Sequence, residues 1–196
     1  MNQRAEISDG VELWAGEFGV EYTDRNRVNW RNRIKFWDTM IELIGVRSVL
    51  EVGCNAGWNL SALRVCEPTL ALYGTDINPV AVDQARVCGL NVECKLDFDA
   101  AFRGKMELVF TAGVLIHVEP ENLKEFMSAL ASKSCRYVLA VEYASDVEEE
   151  IPYQGMTGKC WKRPYGKLYE ELGLRLVYTG DAGEGFDRCT FWLLEK

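Results

Sequence analysis

Carboxylates and glycines in this sequence recur directly after apolar runs, an arrangement suited to holding a nucleoside-like ligand. Glu51 lies in the run SVLEV, and GCNAG follows with glycines at 53 and 57. Such a turn brings backbone close to a ligand, because glycine has no Cβ and adopts positive φ freely. The same pattern also serves simply to pack a strand against a helix, and Asn55 stands where a dinucleotide fingerprint has its middle glycine. Asp76, in YGTDINP, comes 25 residues after Glu51. A carboxylate there could accept from both ribose hydroxyls of an adenosine group, two donors matching two oxygens. Capping the helix that opens at Pro79 falls more naturally to Asn78. Asp97 and Phe98, in KLDFD, could take the exocyclic amine and a face of adenine, or Asp97 could be a solvated turn acid.

A second group could act on whatever that ligand delivers. His117, the only histidine, ends FTAGVLIH, whose glycine at 113 and apolar stretch would wall one side of a pocket. Its neutral ring could accept a proton near pH 7, or it could be a hydrogen-bonded packing residue among Val114, Leu115, Ile116 and Val118. Glu142 and Tyr143 follow the run YVLAV; they could orient a substrate, or Glu142 could cap a loop. Trp14, Phe18 and Tyr22 recur every four residues, with Arg25, Arg27, Arg31 and Arg33 close behind. That segment could close over a ligand as a lid, with Tyr22 and Arg25 reaching a carboxylate. The bland alternative is a docking helix. The long stretch 144–164 carries Tyr153, Lys159, Trp161, Lys162 and Arg163, which would suit an acceptor bearing a ring and a negative charge.

These positions need a scaffold that gathers them, and the hydrophobic periods supply one. Strands are expected at Ser48–Val52, Leu72–Thr75, Val92–Leu96, Met106–Thr111 and Tyr137–Val141. Helices over Gly57–Cys66, Pro79–Cys88 and Pro120–Ser132 alternate with them, the mark of a parallel sheet with crossover helices. Tyr165–Leu172 reads as a further helix, Leu174–Tyr178 as an edge strand and Thr190–Leu194 as a closing strand. Trp30, Ile34, Trp37, Ile41 and Ile44 share one face of a leading helix. The expected architecture is α/β: a Rossmann-like, seven-stranded, mostly parallel sheet with helices on both faces and an antiparallel last strand. In such a sheet, ligands sit beyond the carboxyl ends of the strands, where the strand order reverses.

Composition narrows the function. The 196 residues, 48% hydrophobic and 27% charged, suffice for one domain with a filled core. It divides into a lid and leading helix (1–45), a ligand-binding core (46–145) and a substrate-side loop with the C-terminal strands (146–196). A net charge of −8 disfavours nucleic acid as a partner. Seven scattered cysteines with no Cys-x-x-Cys pair and one histidine offer neither a disulfide framework nor a common zinc spacing, so no metal is expected. With no membrane-length apolar run and no secretory leader, a cytoplasmic location is expected.

The ordered set ExGCNxG, TDINPxAV, LDF and VFTAGVLIHV resembles the Rossmann-like, class I S-adenosylmethionine-dependent methyltransferases over residues 48–145. WAGEFGVEYTDRN, VLIHVEPENL, EYASDVEEEIPYQG, GKCWKR and TFWLLEK extend a resemblance to the methylase family associated with pseudaminic acid biosynthesis. The resemblance implies that Glu51, Gly53, Cys54, Asn55 and Gly57 surround the methionine half of the cofactor. It places Asp76 and Ile77 at the ribose, Asp97 and Phe98 at the adenine, and Thr111, Gly113 and Val114 on the far side. His117, Glu142 and Tyr143 would then be the catalytic candidates, and Trp14, Tyr153, Lys159 and Arg163 the substrate contacts. The function so implied is methyl transfer from S-adenosylmethionine to an oxygen or nitrogen of a small, anionic, polar metabolite, by a monomer or homodimer. The same cofactor site could serve a nucleic acid or protein methyltransferase. A nicotinamide oxidoreductase or a non-catalytic nucleotide sensor is more remote, since Asn55 breaks the dinucleotide pattern and no Tyr-x-x-x-Lys is evident.

Overall fold

The computed structural model describes residues 9–97 and 101–196, and from Ser48 to Glu142 it holds five strands and three α-helices that connect them. The strands are β1 (Ser48–Val52), β2 (Ala71–Asp76), β3 (Val92–Cys94), β4 (Met106–Ala112) and β5 (Ser134–Glu142). The helices between them are α4 (Trp58–Cys66), α5 (Pro79–Val87) and α6 (Pro120–Lys133). Ahead of β1 lie α1 (Asp9–Ala15), α2 (Glu17–Arg25), a 3-10 turn (Trp30–Arg33) and α3 (Ile34–Ile44). After β5 come a two-stranded ribbon of β6 (Glu149–Glu150) and β7 (Trp161–Lys162), then α7 (Tyr165–Glu171), β8 (Arg175–Asp181) and β9 (Thr190–Glu195).

The main sheet has the order β3-β2-β1-β4-β5-β9-β8. The first five strands pair in parallel, and β9 runs antiparallel to both neighbours. The expected seven strands and the single reversed last strand are therefore present. The order reverses between β1 and β4, and a crevice opens there because the loops after those strands turn to opposite sides.

Period-two alternation along each strand builds two cores. Val49, Leu108, Phe110, Leu139 and Leu193 face Trp37, Met40, Leu60, Leu63 and Val82 of α3, α4 and α5. Leu50, Val52, Val109, Val138 and Leu194 face Leu123, Met127, Leu130, Tyr165 and Tyr169 of α6 and α7. The differences from expectation lie at element ends. β3 stops at Cys94, leaving Leu96 exposed, because no neighbouring strand continues the pairing. The 144–164 stretch folds back on itself as β6–β7, with Ile151 N–H donating to the Cys160 carbonyl. Ahead of the 3-10 turn, α1 and α2 meet at Gly16. No helix of the described residues is long and apolar enough to cross a membrane.

Candidate active site

The turn after β1 takes its shape from three left-handed residues, Gly53 (φ 74°), Asn55 (φ 47°) and Gly57 (φ 77°). Asparagine is among the few non-glycine residues that tolerate this region, which explains how Asn55 stands in for a glycine. Its side chain accepts from Ala56 N–H at 2.7 Å and donates to Thr23 Oγ1 at 3.1 Å. The N–H groups of Gly53 and Cys54 both donate to the Thr75 carbonyl, tying this turn to β2. A Cβ on Gly53 would collide with Val114, so the turns after β1 and β4 touch there. A Cβ on Gly57 would strike Leu90, which makes Gly57 a packing glycine. Asp76, last in β2, accepts from Asn55 N–H at 2.7 Å through Oδ2 and from Asn78 N–H at 2.8 Å through Oδ1. Burial raises its pKa while these backbone donors hold it down. Each oxygen keeps a lone pair for a further donor. Asn78 caps α5, accepting from Val80 and Ala81 N–H.

These turns enclose a cavity of about 590 Å³, within the range of small-molecule sites of roughly 300–1,000 Å³. At one end Glu51, 2% exposed, accepts through Oε1 from Asn59 Nδ2 at 2.7 Å, while its buried Oε2 has no hydrogen-bond partner among the described residues. The Asn59 carbonyl oxygen in turn accepts from Arg33 Nη1 at 3.0 Å and Trp37 Nε1 at 3.1 Å, which fixes which way the amide faces. Desolvation pushes the Glu51 pKa up to about 8, against the opposing pull of Asn59 and Arg33. Arg33 also donates Nε–H to the Gly185 carbonyl and stacks on Phe186.

The loop from β4 to α6 forms the opposite wall. Gly113 turns it at φ 70°, and Val114 and His117 border the cavity. His117 Nδ1 lies 2.7 Å from the Lys159 carbonyl, so Nδ1 carries the hydrogen and Nε2 is left as the acceptor. Desolvation lowers the His117 pKa to about 4, so the ring is neutral at pH 7. Behind the loop, fully buried Glu142 accepts from Val114 and Ile116 N–H at 3.2 and 3.4 Å. Burial raises its pKa to about 7. Arg163, also fully buried, donates to the Leu115 carbonyl at 3.0 Å and pairs with Glu148 at 2.7 Å. Both side chains therefore grip the loop from the side away from the cavity.

Two helices roof this space. Asn78 Nδ2 donates to the Trp14 carbonyl at 3.1 Å, and Thr23, 1% exposed, receives Asn55. The Trp14 ring lies 4.5 Å from that of His117, with Tyr22 and Tyr153 beside them. Segment 9–25 thus lies over the cavity.

Of the residues singled out from sequence, Trp14, Tyr22, Glu51, Gly53, Cys54, Asn55, Asp76, Ile77, Asp97, Gly113, Val114 and His117 border the cavity. Arg25 does not: it is exposed and pairs with Glu21, and the guanidinium at the cavity is that of Arg33. Gly57, Thr111, Glu142, Tyr143, Tyr153, Lys159 and Arg163 also lie off the lining; Tyr143 donates to Asp187, and Tyr153 packs on His117. Phe98 falls outside the described residues. Arg33, Asn59, Glu119 and Asn122 border the cavity without having been singled out as ligand contacts. Asn59 had a readable signal, a polar residue on the face of α4 that carries Leu60 and Leu63; Glu119 and Asn122 resembled an ordinary helix start.

The sequence matches no protein-family model and no curated protein. Solved structures do resemble the fold. A 1,6-didemethyltoxoflavin-N1-methyltransferase of Burkholderia thailandensis, solved with 1,6-didemethyltoxoflavin and S-adenosylhomocysteine bound, aligns at TM-score 0.75 and 12% identity, covering 100% of this chain and 92% of that one. A magnesium protoporphyrin IX methyltransferase of Synechocystis with bound S-adenosylmethionine aligns at 0.69 and 18% identity, covering 99% and 100%. A sugar N-methyltransferase of Streptoalloteichus aligns at 0.69 and 13% identity, covering 100% and 98%. The chain is similar to these proteins in fold.

Proposed function

We propose that this protein transfers a methyl group from S-adenosylmethionine to an oxygen or nitrogen of a small polar molecule. The observation that carries the reading is the unpartnered, buried Oε2 of Glu51 at a cavity that also has Arg33 beside it and Asp76 farther along. A carboxylate oxygen and a guanidinium at one end fit a zwitterionic amino-acid group; a carboxylate with spare lone pairs at the end of β2 fits a vicinal diol. Glu51 and Arg33 would hold the methionine half, Asp76 the ribose hydroxyls, and Ile77 and Asp97 the adenine, with Gly53, Cys54, Asn55, Gly113 and Val114 lining the path between. The methyltransferases that share the fold, and the resemblance to methylases associated with pseudaminic acid biosynthesis, support the same cofactor and a small metabolite as acceptor.

When bound, the cofactor supplies a methyl carbon already activated on a positively charged sulfur. What remains for the chain is to align an acceptor lone pair with that carbon and exclude water. Segment 9–25 excludes water by covering the cavity. His117 holds the acceptor: its Nδ1–H is tied to Lys159, so Nε2 takes a hydrogen bond from the acceptor's O–H or N–H. With a pKa near 4 it orients that group and is a weak sink for its proton.

Titration calorimetry with S-adenosylmethionine tests the reading. Saturable binding is expected, with at least a tenfold loss in Asp76→Ala, checked as folded by circular dichroism. Absence of binding to the wild-type chain removes the methyltransferase assignment. Unchanged affinity in folded Asp76→Ala removes Asp76 alone.

A further inference from the structure

We infer that the methyl acceptor enters between α1 and the start of α6 and is recognised there through a protonated amine, a group separate from the atom whose lone pair takes the methyl, rather than as an anion. The inference rests on the methyltransferase reading, which assigns the rest of the cavity to the cofactor. The walls at this end are Gly10, Val11 and Trp14 of α1 and His117, Glu119 and Asn122 around the start of α6. A Cβ on Gly10 would collide with the Glu119 carboxylate, so that carboxylate lies directly against the backbone of α1.

The charges are unevenly distributed. Among the described residues, the cations bordering the cavity are Arg33 and Lys95. Arg33 is held at the Glu51 end by Asn59 and Gly185, and Lys95 follows β3, donating its N–H to the Asp76 carbonyl. Arg33 and Lys95 are thus tied to the Glu51 and Asp76 parts of the lining, whereas beside α1 the charged wall is Glu119, and Glu125, nearly two turns farther along α6, adds a second carboxylate.

His117 is an independent pointer to a donor ligand. The ring is enclosed by Trp14 and Tyr153, its Nδ1 is taken by Lys159, and Nε2 has no hydrogen-bond partner among the described residues. Its low pKa keeps it uncharged, so it offers a lone pair and no positive charge. Glu119 and the His117 Nε2 therefore both accept hydrogen bonds at this end, and the Asn122 amide, which can donate or accept, carries no charge to attract an anion. An anionic acceptor would be desolvated facing Glu119 with no cation of the described residues at this end to compensate. An ammonium supplies three N–H donors, enough for the carboxylate and the imidazole together. The basic residues expected from sequence to attract an anion do not oppose this: Arg163 is buried against Glu148, and Lys159 meets the site through its carbonyl.

Ligand-observed saturation-transfer NMR on the full chain loaded with S-adenosylhomocysteine tests the inference. The probes are putrescine and glucosamine against succinate and glucuronate. Signal is expected from the amines, falling at least fivefold in Glu119→Gln and unchanged in Glu171→Gln, a charge-matched control on α7. Asn122→Lys, which adds a cation at the exposed rim, should weaken the amines and admit the carboxylates. The inference is overturned if carboxylates bind the wild-type chain as well as amines do, if amine signals survive Glu119→Gln, or if neither set binds a chain that holds S-adenosylhomocysteine. Failure to hold S-adenosylhomocysteine in calorimetry brings down the methyltransferase reading, and this inference with it.

Discussion

Glu51 sets burial against charge at the wall of the cavity. Its pKa near 8 reflects a carboxyl removed from water, a loss that the Asn59 amide, the Arg33 charge and the Leu60 N–H offset only in part. An ammonium at Oε2 would supply the missing charge and drive ionisation. Below about pH 8, binding should therefore release a proton, and affinity should rise with pH until Glu51 is ionised in the free protein. Calorimetry in buffers of different ionisation enthalpy reads this release directly. In Glu51→Gln the release should vanish and affinity should fall by about ten- to a hundredfold, the equivalent of one hydrogen bond to a charged group at roughly 1.5–3 kcal/mol. Retained release in that variant would place the proton elsewhere. The sequence displayed Glu51 plainly, because a carboxylate at a strand end before a glycine turn has few structural duties. Asn59 and Arg33 were hard to recognise, since their role depends on α3 and α4 packing side by side.

At the scale of elements, the β4–α6 loop is a unit clamped from behind. Strand alternation sends Glu142 to the α6–α7 face, along with Val138 and Ala140, and there it meets the N–H groups of Val114 and Ile116 while Arg163 holds the carbonyl between them. This explains why two residues that the sequence assigned to catalysis and substrate binding lie off the cavity: a loop held at three backbone groups fixes where Val114 and His117 stand. The clamp has a pH signature. The Glu142 pKa is raised in the folded state to about 7, so its stabilising effect is complete below the unfolded value near 4.5 and is lost as pH rises through about 7. Thermal unfolding of the wild type should fall by several degrees between pH 5 and pH 8, and Glu142→Gln should flatten that decline. Equal slopes in the two proteins would show that Glu142 does not titrate in this range.

At the scale of the molecule, the crevice exists because the strand order reverses between β1 and β4, and the field around it is acidic, at −8 overall. Oligonucleotides should therefore not be retained in filter binding even at low salt, where attraction to a basic surface is strongest; retention that weakens with added salt would reveal a basic patch and favour a nucleic acid acceptor. Several features of this scale were legible in the sequence. Apolar periods of two and 3.6, glycines where φ is positive and a polar cap at Asn78 are local requirements, so they determined the strands, the crossover helices and the ligand face of the sheet. Tertiary structure alone decided which charges share a cavity. Arg33 rather than Arg25 bonds Asn59, the partner of Glu51, Arg163 pairs with Glu148, and Glu119 comes to rest beside Gly10, because contacts between residues far apart in the chain depend on how elements pack and leave no periodic trace in the sequence.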